Sequence, residues 1–184
     1  MQQHKRPNRI LGLLALGVLA GVALTTSSAP AASGGGPYYP EPAWDRKLPA
    51  SVRFLVLTNW ESEAVLDKET GLVWERTPDT LPQSWAGAKI ACLNRTVSNR
   101  KGWRLPSAVE LMSLIDPSVT SGPSLPPGHP FVGIQTVFWS ATSDGAFPTN
   151  AFIMVFNGGG VGGGPKTDAL LVWCVRGGMT ADAY

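Results

Sequence analysis

Six short apolar runs, separated by more polar segments, recur along the chain after residue 53. They are FLVL (54–57), AVL (64–66), LVW (72–74), VFWSAT (137–142), AFIMVF (151–156) and LLVWCV (170–175). Each run is rich in β-branched or aromatic residues, as strands are. Gly71, in the segment DKETGLVW, lies between the second and third runs. We therefore predict strands at all of these runs and a hairpin around Gly71.

Two segments between these strands have a helical period instead. Ser84 is a candidate N-cap for the first, SWAGAKIACLN (84–94), and one face of that helix carries Trp85, Ala88, Ala91 and Cys92. In the second, SAVELMSLIDP (107–117), Ser107 and Glu110 form a capping box and Pro117 ends the helix. One face of this second helix carries Leu111, Leu114 and Ile115.

The order of these elements predicts an α+β fold: strands, two helices, a loop, then strands. Residues 53–178 are enough for one domain with one core, and no internal repeat is present. Residues 32–52 are rich in Gly, Pro and Ser and predict a flexible leader, and residues 179–184 form a short tail.

Residues 116–135, DPSVTSGPSLPPGHPFVGIQ, contain five prolines and no predicted element. A structureless stretch of this length inside a small domain indicates either a functional surface or a missed element. We treat it as a candidate functional loop, with a missed element as the alternative.

The glycine-rich segment NGGGVGGGP (157–165) matches G-x-G-x-x-G through Gly158, Gly160 and Gly163. A phosphate-binding glycine turn must open a helix, whose N-terminal amides then face the phosphate. The residues that follow are strand-like instead. We therefore predict that residues 157–168 are a wide hairpin connection between two core strands and bind no phosphate.

The amino-terminal residues predict export. The basic HKRPNR (4–9) precedes a run of about 15 apolar residues, and Ala29-Pro30-Ala31 is a candidate cleavage site, so residues 1–31 are predicted to be a signal peptide. An uncleaved anchor is the alternative, although the run is shorter than the roughly 20 residues of a spanning helix. Removal of this segment takes away three of the 15 basic residues and none of the 13 acidic ones, leaving a formal net charge of −1. We therefore predict no nucleic-acid partner and no stable membrane span after cleavage.

The two cysteines of the chain, Cys92 and Cys174, are predicted to form a disulfide because an exported protein meets oxidising conditions. Two separate buried thiols are the alternative. Closing a loop of roughly 80 residues would stabilise the fold by ~4 kcal/mol in the chain-entropy model.

No catalytic set is evident. His129 is the one histidine after the predicted signal, both cysteines are assigned to the disulfide, and no metal-binding motif is present. We predict no cofactor, with Ca²⁺ held by loop acids as the alternative; the candidates are Asp116, Asp144 and Asp168. The acids of the first hairpin are predicted to be exposed: Glu61, Glu63, Asp67, Glu69 and Glu75. Trp44 is a candidate for stacking on a sugar ring. Trp60 is predicted to lie in the core, with sugar stacking as the alternative.

Several motifs in order resemble one family. DKETGLVWER, WAGAKIAC, GWRLPSAVELMSLID, FWSATS and WCVRGG together are similar to the Lcl C-terminal domain family, named for a collagen-like bacterial surface adhesin. The resemblance covers roughly residues 64–178. It implies a C-type-lectin-like α+β fold on an exported bacterial protein, with a disulfide between the first helix and the last strand.

The resemblance also implies roles for particular residues. Framework positions are Trp74, Trp103, Arg104, Pro106, Glu110 and Trp139, with Arg104 and Glu110 pairing or capping. Ligands of lectin-like domains usually meet the long loop. However, the loop has no E-P-N or Q-P-D triplet, and Trp139 is followed by Ser140 and Ala141 rather than by Asn-Asp. Calcium-dependent sugar binding therefore does not carry over. No collagen-like stalk is present either, so trimerisation through a stalk does not carry over.

These observations predict a noncatalytic binding module in the periplasm or outside the cell, with adhesion as its class of activity. Its ligand would be a glycan or an envelope protein, contacted by Asp116, His129 and Asp144. Two alternatives stay open: an envelope enzyme that uses loop carboxylates, and a structural subunit of an envelope assembly.

Overall fold

Two five-stranded, mainly antiparallel sheets and three short helices build the part of the chain that the computed structural model describes, residues 48–177. The predicted α+β class is confirmed. The predicted signal peptide, residues 32–47 of the predicted leader and the tail lie outside the described residues. The C-type-lectin-like shape implied by the resemblance stays a prediction.

The elements follow one another closely along the chain. They are α1 (Ala50–Arg53), β1 (Phe54–Val56), a 3₁₀ turn (Thr58–Trp60), β2 (Ala64–Asp67), β3 (Val73–Glu75), β4 (Asp79–Gln83), α2 (Trp85–Asn94), β5 (Trp103–Arg104), α3 (Ala108–Met112), β6 (Val137–Ser143), β7 (Asn150–Val155), β8 (Gly160–Pro165), β9 (Leu170–Val172) and β10 (Val175–Arg176). The first sheet has the order β1-β2-β3-β10-β5 and the second the order β4-β9-β6-β7-β8. Only the β6–β9 pair is parallel among these strands.

Both predicted helices are present with their predicted N-caps, but the predicted end of the second at Pro117 is wrong, because α3 ends at Met112. The Ser84 hydroxyl accepts the Gly87 N–H, and Ser107 and Glu110 form a complete capping box. Strand β4 was not predicted, because its sequence DTLPQ is polar and contains Pro82, which suits an edge strand. Helix α1 begins at Ala50, which is buried and lies within the predicted leader.

Helix α1 is held in place by Arg53, whose side chain is only 2% exposed. Its Nε and Nη2 donate to the two carboxylate oxygens of Asp67 at 2.8 and 2.7 Å, and Nη1 lies 2.8 Å from Glu69. Asp67 also accepts the Glu69 N–H in the turn that leads to Gly71, where φ is +71°. The predicted exposure of Asp67 is therefore wrong: its carboxylate joins α1 to the hairpin, and bidentate pairing offsets the cost of burying both charges.

The chain crosses from one sheet to the other at Trp173 and Cys174. The predicted strand 170–175 is two strands, with β9 in the second sheet and β10 in the first. Trp173 is fully buried, and rings from both sides pack against it at centroid distances of 5.0 to 5.6 Å: Trp74, Phe131, Phe138 and Phe156. Phe131 belongs to the long loop, which therefore contributes to the core although it contains no helix or strand.

The predicted disulfide between Cys92 and Cys174 is confirmed. It joins α2 to the crossing between the sheets and closes a sequence separation of 82 residues. Both cysteines are fully buried within a second apolar cluster that also contains Trp103 and Trp139.

The prediction of a wide hairpin at residues 157–168 is wrong, because most of this segment is itself a strand. Strand β8 pairs with β7 in unbroken register from Gly160 to Pro165. Two of its glycines lie beneath side chains of neighbouring strands: a Cβ on Gly162 would be 3.3 Å from Ile153, and one on Gly164 would be 3.4 Å from Trp139. No helix follows the glycines in the described chain, so the geometry that holds a phosphate is absent there.

The turn between β7 and β8 offers a matched pair of substitutions. Gly158 and Gly159 both have positive φ, +93° and +67°, so alanine at either position would be strained by roughly 1 to 2 kcal/mol. A Cβ on Gly159 would also lie 2.8 Å from Cγ2 of Ile115, whereas one on Gly158 would meet nothing within 4 Å. We expect Gly159→Ala to lower the free energy of unfolding by about 1 to 3 kcal/mol more than Gly158→Ala does. Urea titration measures the difference, and equal losses would contradict the packing described at Ile115.

Removal of the disulfide should cost a large part of the stability. In the chain-entropy model a loop of this length contributes on the order of 4 kcal/mol. We expect the double variant Cys92→Ala, Cys174→Ala to lose about that much in urea titrations, with the full-length chain expressed in bacteria and purified from the periplasm. Reduced wild type serves as the control, since it should match the variant. A loss below about 1 kcal/mol would show that the closed loop is not a major constraint on the unfolded chain.

Candidate functional site

Two of the predicted ligand-binding residues lie within the folded long loop. Asp116 is buried, and its Oδ1 accepts the backbone N–H and the hydroxyl of Ser118. His129 is half-buried with its ring 5.9 Å from that of Phe131, and burial lowers its pKa. Nδ1 of His129 is buried and has no hydrogen-bond partner among residues 48–177. Both side chains therefore contribute to the packing or the internal hydrogen bonding of the loop.

The third predicted residue, Asp144, lies in the turn between β6 and β7. Its Oδ1 accepts the N–H groups of Ala146 and Phe147, so it caps that turn. Within residues 48–177, no group of three or more His, Cys, Asp or Glu side chains is placed to hold a metal ion. The structure thus does not assemble the predicted loop residues, or the candidate calcium ligands, into one site.

The framework residues implied by the resemblance are part of the folded interior. Trp74, Trp103 and Trp139 are almost fully buried. Arg104 donates to both carboxylate oxygens of Glu110, at 2.8 and 2.5 Å, so the expected pairing is present beside the capping box. The carbonyl of Pro106 accepts the Ala141 N–H, which joins the start of α3 to β6.

Trp60 is not available for stacking on a sugar ring as a free surface residue. The guanidinium carbons of Arg100 and Arg176 lie 4.4 and 5.2 Å from the centre of its ring. The indole of Trp103 meets it edge-on at 6.3 Å. These neighbours favour a structural role for Trp60. Trp44 lies outside the described residues.

A polar cleft of about 410 Å³ opens where the β2–β3 hairpin meets the segment after α2 and the end of the long loop. Its walls carry two arginines and two glutamates. The residues that line it are Ser62, Glu63, Glu75, Arg76, Thr77, Arg95, Thr96, Val97 and Val132. We take this cleft as the candidate functional site because it combines a concave shape with several convergent charged groups.

An arginine between two carboxylates forms the floor of this cleft. Nε of Arg95 lies 2.8 Å from Oε1 of Glu75, and Nη2 donates to Asp79 at 2.8 Å. Oε2 of Glu75 accepts the Cys174 N–H at 2.9 Å. Because Glu75 is only 4% exposed, the predicted exposure of this acid is wrong.

The two carboxyl groups that contact Arg95 have different acidities. Burial raises the pKa of Glu75 to about 7, against the opposing effects of Arg95 and the Cys174 N–H. Burial also acts to raise the pKa of Asp79, but the Leu81 N–H and the Arg95 guanidinium outweigh it, and the pKa of Asp79 is lowered. The buried Glu75 therefore holds a proton more readily than the half-buried Asp79 does.

Glu63 and Arg76 also line the cleft: Glu63 directly precedes β2, Arg76 directly follows β3, and the two residues lie opposite one another. The Ala64–Glu75 register and the Arg76 N–H donated to the Glu63 carbonyl place them as cross-strand neighbours. Such neighbours have Cβ atoms about 5 Å apart and ordinarily pair when their charges are opposite. Here each side chain bonds elsewhere: Glu63 accepts from Ser98, while Arg76 donates to the carbonyls of Pro130 and Ser62.

Backbone strain is concentrated in the two loops beside this cleft. The non-glycine residues with positive φ in the described chain are Glu61, Ser62, Ser98 and Asn99. The loops contact each other, since the Ser98 hydroxyl donates to the Trp60 carbonyl and the Ser98 N–H donates to Glu63. Left-handed backbone at non-glycine residues costs energy and is enriched at functional sites. At Ser62, this backbone conformation places the carbonyl where it accepts a hydrogen bond from the Arg76 guanidinium.

A family comparison matches residues 63–176 to the Lcl C-terminal domain. The chain belongs to the Lcl C-terminal domain family. No curated protein matches the sequence significantly.

The matched range of this Lcl C-terminal domain begins at Glu63 and includes every residue that lines the cleft except Ser62. Helix α1, strand β1 and the 3₁₀ turn precede it. The disulfide agrees with the extracytoplasmic location that is typical of the family. In the described part of the chain, no helix is long and apolar enough to cross a membrane.

Sequence reasoning did not identify Arg76, Arg95 or Glu63 as site residues. A usable signal was present, because the hairpin around Gly71 pairs positions symmetrically and so sets residue 63 opposite residue 76. The contribution of Arg95 had no such local signal. It reaches Glu75 only because α2 is joined to the sheet crossing by the disulfide.

The raised pKa of Glu75 predicts a specific pH dependence. The acid binds its proton more tightly in the folded protein than in the unfolded chain, where its pKa is near 4.5. Its contribution to stability is therefore complete below about pH 4.5 and is lost as the pH rises through 7. We expect the unfolding free energy of wild type, relative to Glu75→Gln, to fall by about 3 kcal/mol from pH 4.5 to about pH 8. The exposed acid Glu61 gives the control, since Glu61→Gln should leave the profile unchanged, and parallel profiles for wild type and Glu75→Gln would contradict the shift.

Proposed function

We propose that this Lcl C-terminal domain is an exported, noncatalytic binding module that recognises a glycan or protein ligand at the bacterial cell envelope or outside the cell. Export is supported by the signal-like residues 1–31 and by the disulfide. Adhesion is the class of activity that best suits such a module.

The observation that carries this proposal is the way in which the charged side chains of the cleft are paired. The Arg76 guanidinium is positioned by two backbone carbonyls, at 3.1 and 3.3 Å, and has no carboxylate partner within residues 48–177. Positioned polar groups at a concave surface lose little freedom when a ligand binds, which favours affinity. The end of the long loop forms one wall through Val132, so a ligand here also meets the loop face that the resemblance implies.

The alternative of an enzyme is favoured by one observation, the divergence of the pKa values of Glu75 and Asp79. Acid–base pairs in enzymes have carboxyl groups with acidities separated in this way. However, both oxygens of Glu75 are engaged, one with Arg95 and one with the Cys174 N–H. A carboxyl group held in this way is better suited to stabilising the junction beneath the cleft than to exchanging protons with a substrate.

A substitution that fills the cleft tests the binding module. Thr77 lines the cleft and is exposed, and Thr167, equally exposed, lies in the turn after β8. We expect a ligand found by glycan and peptide arrays, with and without calcium, to bind wild type and Thr167→Trp alike. Its affinity for Thr77→Trp should be weaker by at least about tenfold, measured by calorimetry.

Three results would count against this assignment. Unchanged binding to Thr77→Trp together with lost binding to Asp144→Ala would place the site on the β6–β7 turn instead. A hydrolysed product that disappears in Glu75→Gln would favour the enzyme. No ligand on any array, with one envelope protein recovered in stoichiometric amount, would favour a structural subunit.

A further inference from the structure

Two opposite charges face the cleft without pairing with each other. Glu63 and Arg76 are cross-strand neighbours on one face of the hairpin, yet no ion pair joins them in the described structure. An opposite-charge pair in this arrangement would ordinarily stabilise the sheet by roughly 0.2 to 1 kcal/mol. The separation of these two charges therefore needs a cause.

The cause is that each side chain is held by groups outside the pair. Nε of Arg76 donates to the Pro130 carbonyl, and Nη1 donates to the Ser62 carbonyl. Oε2 of Glu63 accepts both the N–H and the hydroxyl of Ser98. Ser62 and Ser98 both have left-handed backbone, so each of the two charges is held by a segment with a strained backbone conformation.

The side-chain atoms of Arg76 and Glu63 that make no hydrogen bond within residues 48–177 are complementary to a ligand with one negative and one positive charge. Nη2 of Arg76 and Oε1 of Glu63 make no hydrogen bond within residues 48–177. A guanidinium with free N–H groups at its end binds a carboxylate in a fork geometry. A carboxylate oxygen binds an ammonium group equally directly. A simple anion would satisfy Arg76 but would be repelled by Glu63.

We infer that this cleft binds a zwitterion of the α-amino acid type, with the ligand carboxylate on Arg76 and the ligand ammonium on Glu63. The inference rests on the proposed function and names the chemical group that the module recognises. The same group occurs in a free amino acid and at the side-chain end of a larger ligand, such as a γ-linked glutamyl residue. Both sources present the carboxylate and the ammonium on one carbon atom.

Ligand variants test the inference with the unaltered protein. The probes are the free amino acids, their N-acetyl and amide derivatives, and the isomeric dipeptides γ-glutamyl-alanine and α-glutamyl-alanine. They are measured by calorimetry with the full-length chain expressed in bacteria and purified after export. We expect at least one zwitterion to bind about tenfold or more tightly than both of its derivatives, since each derivative loses one charged contact. Binding of the γ-linked but not the α-linked dipeptide would identify a larger ligand as the source, and binding of free amino acids alone would identify the small molecule.

Protein variants assign the two contacts. Glu63→Gln should abolish the preference for the free amino acid over its N-acetyl derivative, and Arg76→Gln should abolish the preference over the amide. Arg76→Lys keeps the charge and should retain a weaker preference. Glu61→Gln and Lys101→Gln change exposed charges that do not line the cleft and should leave all affinities unchanged.

Several outcomes would overturn the inference. Failure of every free amino acid and of γ-glutamyl-alanine to bind at about 10 mM would do so, because a site that contacts both charges of its ligand should be occupied at that concentration. Equal affinity for a free amino acid and its N-acetyl derivative would replace the zwitterion site with a plain carboxylate site. A glycan or peptide that binds the cleft, is blocked by Thr77→Trp and shows no such preferences would leave the binding module standing and remove the zwitterion. If no ligand of any kind binds, both proposals fail.

Discussion

The hydrogen bond from the Cys174 N–H to the Glu75 carboxylate lies where the chain crosses directly from the second sheet into the first. The chain leaves the second sheet at Val172 and joins the first at Val175. Glu75 makes three hydrogen bonds to the two residues in between. Its backbone N–H donates to the Cys174 carbonyl, its carbonyl accepts the Trp173 indole N–H, and its carboxylate accepts the Cys174 N–H. Without these bonds the polar groups of a strand break would be buried and unsatisfied, which costs several kcal/mol.

The candidate site is built outward from this junction. The disulfide holds α2 against the crossing, and Arg95, directly after α2, then meets Glu75. Arg76 directly follows Glu75, the last residue of β3, so the floor and one charged wall of the cleft come from consecutive residues. A site supported in this way is rigid where it meets the core, while its strained loops at residues 61–62 and 98–99 lie at the surface. The buried acid and the disulfide therefore shape the cleft indirectly, by fixing the positions of their neighbours.

Much of the fold could be predicted from local sequence because local rules determine it. The capping box of α3 depends on residues close together in the sequence, and so do the Gly71 turn and the apolar strands. Each of the two cysteines had only one possible partner. Strands β8 and β4 were missed because contacts across the sheet, and not local sequence, determine them. Glycine and proline are poor strand residues alone, and here their place is set by Trp139, Ile153 and the pairing partners across the sheet. The candidate site was missed because its charges converge through tertiary contacts, whereas the predicted loop acids bond within their own turns.

The order of strands in the two sheets has a consequence for how the protein is made. Strand β10 lies between β3 and β5, and β9 lies between β4 and β6, so central strands of both sheets come from the last part of the domain. A chain leaves the ribosome amino end first, and domains fold as units. Until residues 170–176 emerge, β3 lacks its neighbour β10 and β4 lacks its neighbour β9. Cys92 also lacks its disulfide partner. Completion of both sheets therefore waits for residues 170–176, which are among the last of the domain to be synthesised.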